Sequence, residues 1–222
     1  IKLGYKREVA ENVFALIERF ASYGFNKAHS TSYAMIAYQT AWMKVHFPVE
    51  FMAALLTAES MGASGPTRDA KITLAIEECR RMGIVVLPPD INKSSASFTI
   101  EDEPTSLNGK AIRFGLSAIK NVGEAAIRAI LEARELGGEF KSLCDFCQRV
   151  DSQKVNTKVL ESLIKAGAMD AFGKRTAMLS ALDKIRERGV SLQRQKANGQ
   201  TSLFDNHPGI NLSFGNELPD IE

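Results

Sequence analysis

The residues whose types and spacing are best suited to chemistry lie in Leu116-Ser-Ala-Ile-Lys-Asn-Val-Gly-Glu-Ala-Ala-Ile-Arg-Ala-Ile130. The pattern reads as a short helix, a tight turn centred on Val122 and closed by Gly123, and a second helix with Ala126, Ile127 and Ile130 inward. Such a helix-hairpin-helix leaves the first backbone N–H groups of its second helix unpaired, and the helix dipole favours an anion at the same place. A phosphate satisfies both demands. Lys120 adds a cation beside the turn, so Lys120, Asn121, Val122 and Gly123 are predicted to contact DNA. The usual turn is Gly-hydrophobic-Gly. Asn121 replaces the first glycine, a tolerable change because Asn reaches left-handed backbone more readily than other non-glycine residues. Contacts of this kind touch phosphate rather than bases, so binding should ignore base sequence and weaken as salt rises. An ordinary helical hairpin stapled by Val122 is the competing reading.

A looser copy of the layout follows in Val159-Leu-Glu-Ser-Leu-Ile-Lys-Ala-Gly-Ala-Met-Asp170, Phe172-Gly-Lys-Arg-Thr176 and a helix from about Ala177. Lys165, Gly167, Lys174 and Arg175 surround its turn and are predicted contacts as well. Two such units packed with pseudo-twofold symmetry would meet the two strands of a duplex, which points to double-stranded DNA. The charge distribution agrees with a polyanionic partner. The formal net charge is +2, yet residues 205–222 carry four acidic side chains and no Lys or Arg, leaving 28 basic against 22 acidic residues over 1–204. Residues 141–196 hold twelve basic and six acidic side chains. A solvated helix face would explain the same excess.

Around these turns the chain reads as mainly α. Val9, Val13, Phe14, Ile17 and Phe20 recur at helical spacing, with Tyr23-Gly24 as a stop. A polar turn, Asn26-Lys-Ala-His-Ser30, precedes a Ser/Thr cap at 30–32 and an aromatic-rich helix to about His46. Pro48 starts another helix to about Ala58, and Gly62-Ala-Ser-Gly-Pro66 is a loop before an amphipathic helix that Gly83 ends. Ile84-Val-Val-Leu-Pro-Pro-Asp-Ile-Asn92 is extended, because consecutive prolines exclude helix. Phe98-Thr-Ile100 and Ala111-Ile-Arg-Phe114, joined through Asn108-Gly109, predict a small β-hairpin. The resulting division is a helical segment 1–83, an extended connector with a β-hairpin 84–115, a tandem helix-hairpin-helix domain 116–189 and a flexible tail 190–222.

Composition limits the alternatives. With 222 residues, 45% hydrophobic and 24% charged, the chain can bury a substantial core, and no apolar run approaches the roughly 20 residues a membrane span needs. Three cysteines give no disulfide framework and suit a reducing cytoplasm. Cys144 and Cys147 form one C-x-x-C without a second pair or a nearby His, so core packing at i,i+3 is expected rather than a metal site. Ile1-Lys-Leu-Gly-Tyr5 carries neither an initiator methionine nor a signal-peptide pattern, and the chain is read as a piece of a longer protein.

The string Phe20-Ala-Ser-Tyr-Gly-Phe-Asn-Lys-Ala-His-Ser-Thr-Ser-Tyr-Ala-Met-Ile-Ala-Tyr-Gln-Thr-Ala-Trp-Met-Lys-Val-His-Phe-Pro-Val-Glu-Phe-Met-Ala-Ala-Leu55 closely resembles the fingers of bacterial replicative DNA polymerase III alpha subunits, the C-family polymerases. Leu87-Pro-Pro-Asp-Ile-Asn92, Gly115-Leu-Ser-Ala-Ile-Lys-Asn-Val-Gly123 and Leu163-Ile-Lys-Ala-Gly-Ala-Met-Asp170 occur in that family's order. The resemblance spans residues 5–205. It implies that 1–83 is the later part of the fingers, which close over the incoming deoxynucleoside triphosphate and primer-template duplex DNA. Asn26, Lys27, His29 and Ser30 would then be a seat for triphosphate or primer-template backbone. Helix capping by Asn and Ser, with His29 satisfied locally, is the alternative. Tyr33, Tyr38 and Trp42 could stack on bases, though most of that set suits a core better.

Gln200-Thr-Ser-Leu-Phe204 resembles the bacterial sliding-clamp-binding peptide. Leu203 and Phe204 would fill an apolar pocket of the clamp, with Gln200 hydrogen-bonding at its rim and Ser202 as the small polar position. Other replisome subunits would be met through the full-length protein. Polymerase chemistry needs carboxylates holding two metal ions, and no convincing set is visible. Asp90 lies in the proline turn, and Glu101-Asp-Glu103 is placed at a hairpin tip. The family's carboxylates, and the Mg2+ they hold, lie upstream in the palm, so this chain should carry no cofactor and not polymerise DNA alone. A repair or recombination protein with tandem helix-hairpin-helix units, or a helical module that binds no DNA, are the competing functions.

Overall fold

The computed structural model describes residues 4–19, 27–62, 66–104, 106 and 109–197. The chain divides into two compact units between Pro48 and Val49. The first holds helices α1 (Arg7–Arg19) and α2 (Lys27–His46). Val9, Val13, Phe14 and Ile17 do form an apolar stripe on α1, but each is exposed. No residue of α2 is buried, and Tyr33, Tyr38 and Trp42 are solvent-facing rather than core.

The expected cap at 30–32 is corrected by the structure. Helix α2 already runs from Lys27, so Ser30 and Thr31 lie inside it and both hydroxyls donate back to the Lys27 carbonyl, at 3.0 and 2.8 Å. Ser32 does the same to Ala28 at 3.0 Å. A hydroxyl inside a helix finds the carbonyl three or four residues back as readily as a hydroxyl before a helix finds an N–H, so the residue type alone does not separate the two.

The second unit opens with α3 (Pro48–Met61) and α4 (Pro66–Arg81), each with proline at its first position, where the missing N–H is no loss. Val49, Met52, Ala53 and Leu56 of α3 and Ile72, Ala75 and Cys79 of α4 are buried at helical spacing. Gly83 ends α4 with φ +73°. The connector is more than a hairpin. Strands β2 (Thr99–Asp102) and β3 (Lys110–Arg113) pair antiparallel, Ile100 opposite Ile112, and β1 (Val85–Leu87) joins β3 in parallel, giving the order β1-β3-β2. The core of α3 and α4 continues through Ile84, Phe98 and Ile112. Helices α3 and α4, grouped by periodicity with the helices before them, thus pack with the sheet.

Glu101 is likewise corrected: it is a β2 residue, not part of a tip, and its carboxylate accepts both Nε and Nη2 of the buried Arg113. Arg113 Nη1 also donates to the Pro88 carbonyl at 2.9 Å, tying the proline segment to the sheet. Asp90 is a turn-former, accepting the Asn92 N–H at 2.8 Å on its side chain and the Ser94 N–H at 2.7 Å on its carbonyl.

Beyond the sheet follow a 3-10 turn (Leu116–Ala118), α5 (Glu124–Gly137), α6 (Leu143–Arg149), α7 (Thr157–Ala166), a second 3-10 turn (Asp170–Phe172) and α8 (Arg175–Ala197). Helix α8 passes residue 190, where turn-forming composition predicts a tail, and persists to Ala197. One core serves all of these elements, including Leu116, Val122, Ile127, Ile130, Phe146, Leu160, Leu163, Met169 and Met178. At the junction with the sheet the chain passes so tightly that a Cβ on Gly115 would lie 2.7 Å from the Phe98 nitrogen. There the Leu116 and Ser117 N–H groups donate to the carbonyls of Ser95 and Ala96 at 2.9 and 3.0 Å. The hairpin region is therefore held through backbone to the segment that leads into β2, and Arg68 of α4 adds a hydrogen bond to the Ser117 carbonyl.

Candidate nucleic-acid interface

The first hairpin is built as its residues predict. Asn121 takes φ +65°, the one positive φ among the described non-glycine residues. Val122, the next residue, turns into the core and is 6% exposed, with its N–H on the Ile119 carbonyl at 3.3 Å. Gly123 then caps α5 at φ −84°, ψ 164° and, having no side chain, offers none to accept from the helix's first turn. Gly123, Glu124 and Ala125 are exposed. The orphan N–H groups that begin any helix are left here to an acceptor from outside. Lys120 is exposed beside them and joins no ion pair among the described residues.

Gly123 is informative because the fold does not require it. Its φ suits any residue, and a Cβ built on it meets nothing within 4 Å. Glycine there leaves the backbone open to close approach by something that is not this chain. A contact outside the sequence prediction holds the turn in place: Asn121 Nδ2 donates to Ser162 Oγ on α7 at 3.1 Å, bridging the two hairpins. No local spacing signals that pair.

The second hairpin has the predicted layout but distributes its residues differently. Gly167 ends α7 in left-handed conformation, φ +87°, with its N–H on Ile164 at 3.0 Å and the Ala168 N–H on Leu163 at 3.0 Å. Arg175 reaches back over it. Its Nε and Nη2 hold the Asp170 carboxylate at 2.7 and 2.6 Å, and its Nη1 donates to the Lys165 carbonyl at 3.2 Å. The Asp170 hydrogen bonds raise the Arg175 pKa further. A side chain at Gly167 would collide with that guanidinium. Gly167 and Arg175 thus build the turn. Lys165 pairs with Glu161 at 2.8 Å, and Lys174 is exposed at the head of α8, its carbonyl accepting the Met178 N–H at 3.1 Å.

Much of the remaining basic charge is turned inward. Arg134 Nη1 donates to the carbonyls of Ile91 and Ser94 at 3.1 and 2.9 Å, and burial lowers its pKa against the opposing pull of Asp90. Arg149 collects the carbonyls of Ala133, Gly138 and Glu139 at the end of α5 while lying 4.4 Å over the Phe140 ring. Cys147 is buried, and burial first, then neighbouring Cys144, pushes its thiol up to about 12, so it is a neutral core side chain near pH 7. Among the described residues no group of three His, Cys, Asp or Glu is placed to hold a metal ion.

Of the residues predicted to lie near nucleotide, Asn26 falls outside the described residues, while Lys27, His29 and Ser30 share the first turn of α2. The His29 ring meets Tyr33 edge-on at 4.4 Å between centroids. Gln200, Ser202, Leu203 and Phe204 lie outside the described residues.

Comparison with known proteins bears on both hairpins and on the helices before them. A family profile described as a helix-hairpin-helix motif matches residues 83–179. The chain is 46% identical over 204 residues to the DNA polymerase III subunit alpha of Vibrio cholerae, covering 91% of this chain and 17% of that protein. The corresponding subunit of Thermus aquaticus is 46% identical over 201 residues, covering 90% and 15%. That of Escherichia coli is 42% identical over 204 residues, covering 91% and 17%. The chain therefore spans less than a fifth of the length of the curated relatives it matches.

Proposed function

The chain belongs to the DNA polymerase III alpha subunit family, and from that membership we propose that it is the duplex-gripping part of a replicative DNA polymerase. The observation that carries this reading is the start of α5, uncapped and opened by a glycine that neither backbone conformation nor packing demands. A phosphate oxygen there accepts from the first-turn N–H groups, is favoured by the helix dipole and lies beside the Lys120 ammonium. Lys174 plays the corresponding electrostatic part at the head of α8. Neither contact touches a base edge, so the grip is independent of sequence, as a moving polymerase requires. Kinship with alpha subunits favours this over a repair or recombination protein.

The test is duplex binding by the full chain. Affinity should fall steeply with salt and be lost in a Lys120→Glu plus Gly123→Val variant that melts like the parent. Unchanged binding in that variant would remove the site assignment.

Within the same reading, α2 belongs to the fingers and helps position the incoming deoxynucleoside triphosphate and the template. Lys27, on its exposed first turn, supplies a cation for phosphate. DNA-directed polymerisation belongs to the full-length protein. The Mg2+ which the resemblance implies would be held by carboxylates in the palm of the full-length protein. The Gln200–Phe204 peptide tethers the protein to the sliding clamp, supported by its pattern. A clamp pull-down comparing the parent with Leu203→Ala plus Phe204→Ala should recover clamp only with the parent; equal recovery would make the peptide accidental. The bacterial relatives support a cytoplasmic location, and among the described residues no helix is long and apolar enough to cross a membrane.

A further inference from the structure

Glu124 is the first residue of α5, directly after Gly123 and at the mouth of the phosphate seat. A carboxylate in a first helical turn is stabilised by the same dipole and N–H groups that attract phosphate, so it competes with phosphate for them. In the structure it does not cap the helix. Its Oε1 lies 2.9 Å from Nη2 of Arg128, one turn further along, with the two side chains 88% and 66% exposed. As a stabilising pair at such exposure it contributes little. Its position gives it another consequence.

We propose that Glu124 and Arg128 form an electrostatic brake on the duplex grip. The proposal rests on the duplex reading above. Glu124 weakens phosphate binding at α5 by repulsion and by competing for the same N–H groups. Arg128 limits the effect, neutralising the carboxylate and drawing it along the outer face of α5 away from those groups. The balance keeps a single phosphate contact weak enough to exchange as the protein moves along DNA, which sequence-independent backbone contacts permit. Glu124 and Arg128 thus set the strength of the grip without being required for it.

The test is a double-mutant cycle on the full chain, read as affinity for a short synthetic duplex at low salt, with thermal melts confirming that each variant is folded. Glu124→Gln should tighten binding about two- to fivefold, the range that one charge near a helix terminus produces. Arg128→Ala should weaken it by a similar factor in the parent and by distinctly less in the Glu124→Gln background. The differences should shrink as salt is raised. Unchanged or weaker binding by Glu124→Gln overturns the brake. So does an Arg128→Ala effect of equal size in both backgrounds, which would make Arg128 a direct phosphate ligand. Absence of duplex binding by the parent overturns the duplex reading and the brake together, whereas parent binding with additive effects overturns the brake alone.

Discussion

Asn121 shows how one residue can be read from the sequence in one respect and not in another. Its replacement of a hairpin glycine predicts left-handed backbone, and φ +65° is what the turn adopts. The conformation follows from local sterics, which the sequence exposes directly. Its amide bond to Ser162 depends on the packing of α7 against the first hairpin, and no neighbour in sequence announces it. The two roles separate by mutation. Asn121→Gly keeps the backbone and loses the bond, so it should change stability by less than about 1 kcal/mol. Asn121→Val forces a β-branched residue into the same φ and should lower stability by about 1–2 kcal/mol in urea titrations. Equal midpoints for the Gly and Val variants would contradict the left-handed turn.

Elements were legible where their signals are local. Proline at the first position of α3, Gly83 after α4 and the two antiparallel strands follow from spacing and turn chemistry, whereas Pro66, read as the end of a loop, is the first residue of α4. The parallel pairing of β1 with β3 was not, because Val85↔Ala111 joins residues far apart in sequence and three residues give no usable periodicity. The end of α8 was hidden for a related reason. Tertiary contacts hold it where composition is weak: Gln193 Nε2 donates to the carbonyls of Cys147 and Val150 at 3.0 and 2.6 Å, and a Cβ on Gly189 would come within 2.7 Å of the Cys147 carbonyl oxygen. Helix ends are thus closed by side chains from other elements, and Arg149 does this for α5. Arg149→Met keeps the stem but removes the donor to Ala133, Gly138 and Glu139. It should cost about 1–3 kcal/mol, visible as a melting temperature lower by several degrees, without altering duplex affinity of the folded protein. A melt identical to the parent's would mean that water replaces the guanidinium.

At the scale of the whole molecule, the basic excess that suggests a polyanionic partner divides into two populations that counting cannot separate. Arg113, Arg134, Arg149 and Arg175 spend their guanidinium groups on carbonyls and carboxylates of the fold. Lys120 stands exposed at the α5 turn. A planar five-donor group suits the first task, but residue type alone does not draw the line, since Lys165 pairs with Glu161 and Arg128 stays exposed on α5. The salt dependence of binding distinguishes the populations, since only side chains that neutralise phosphate release counterions. Lys120→Ala should reduce the slope of log affinity against log salt by about 0.9 while leaving the melting temperature nearly unchanged. Arg175→Ala should do the opposite, because removing it strands Asp170 and frees the Gly167 turn: stability falls while the slope persists among molecules that remain folded. If Arg175→Ala lowered the slope by the same amount at equal stability, the second turn would be gripping phosphate through Arg175 itself, and the assignment of that side chain to the fold would have to be reversed.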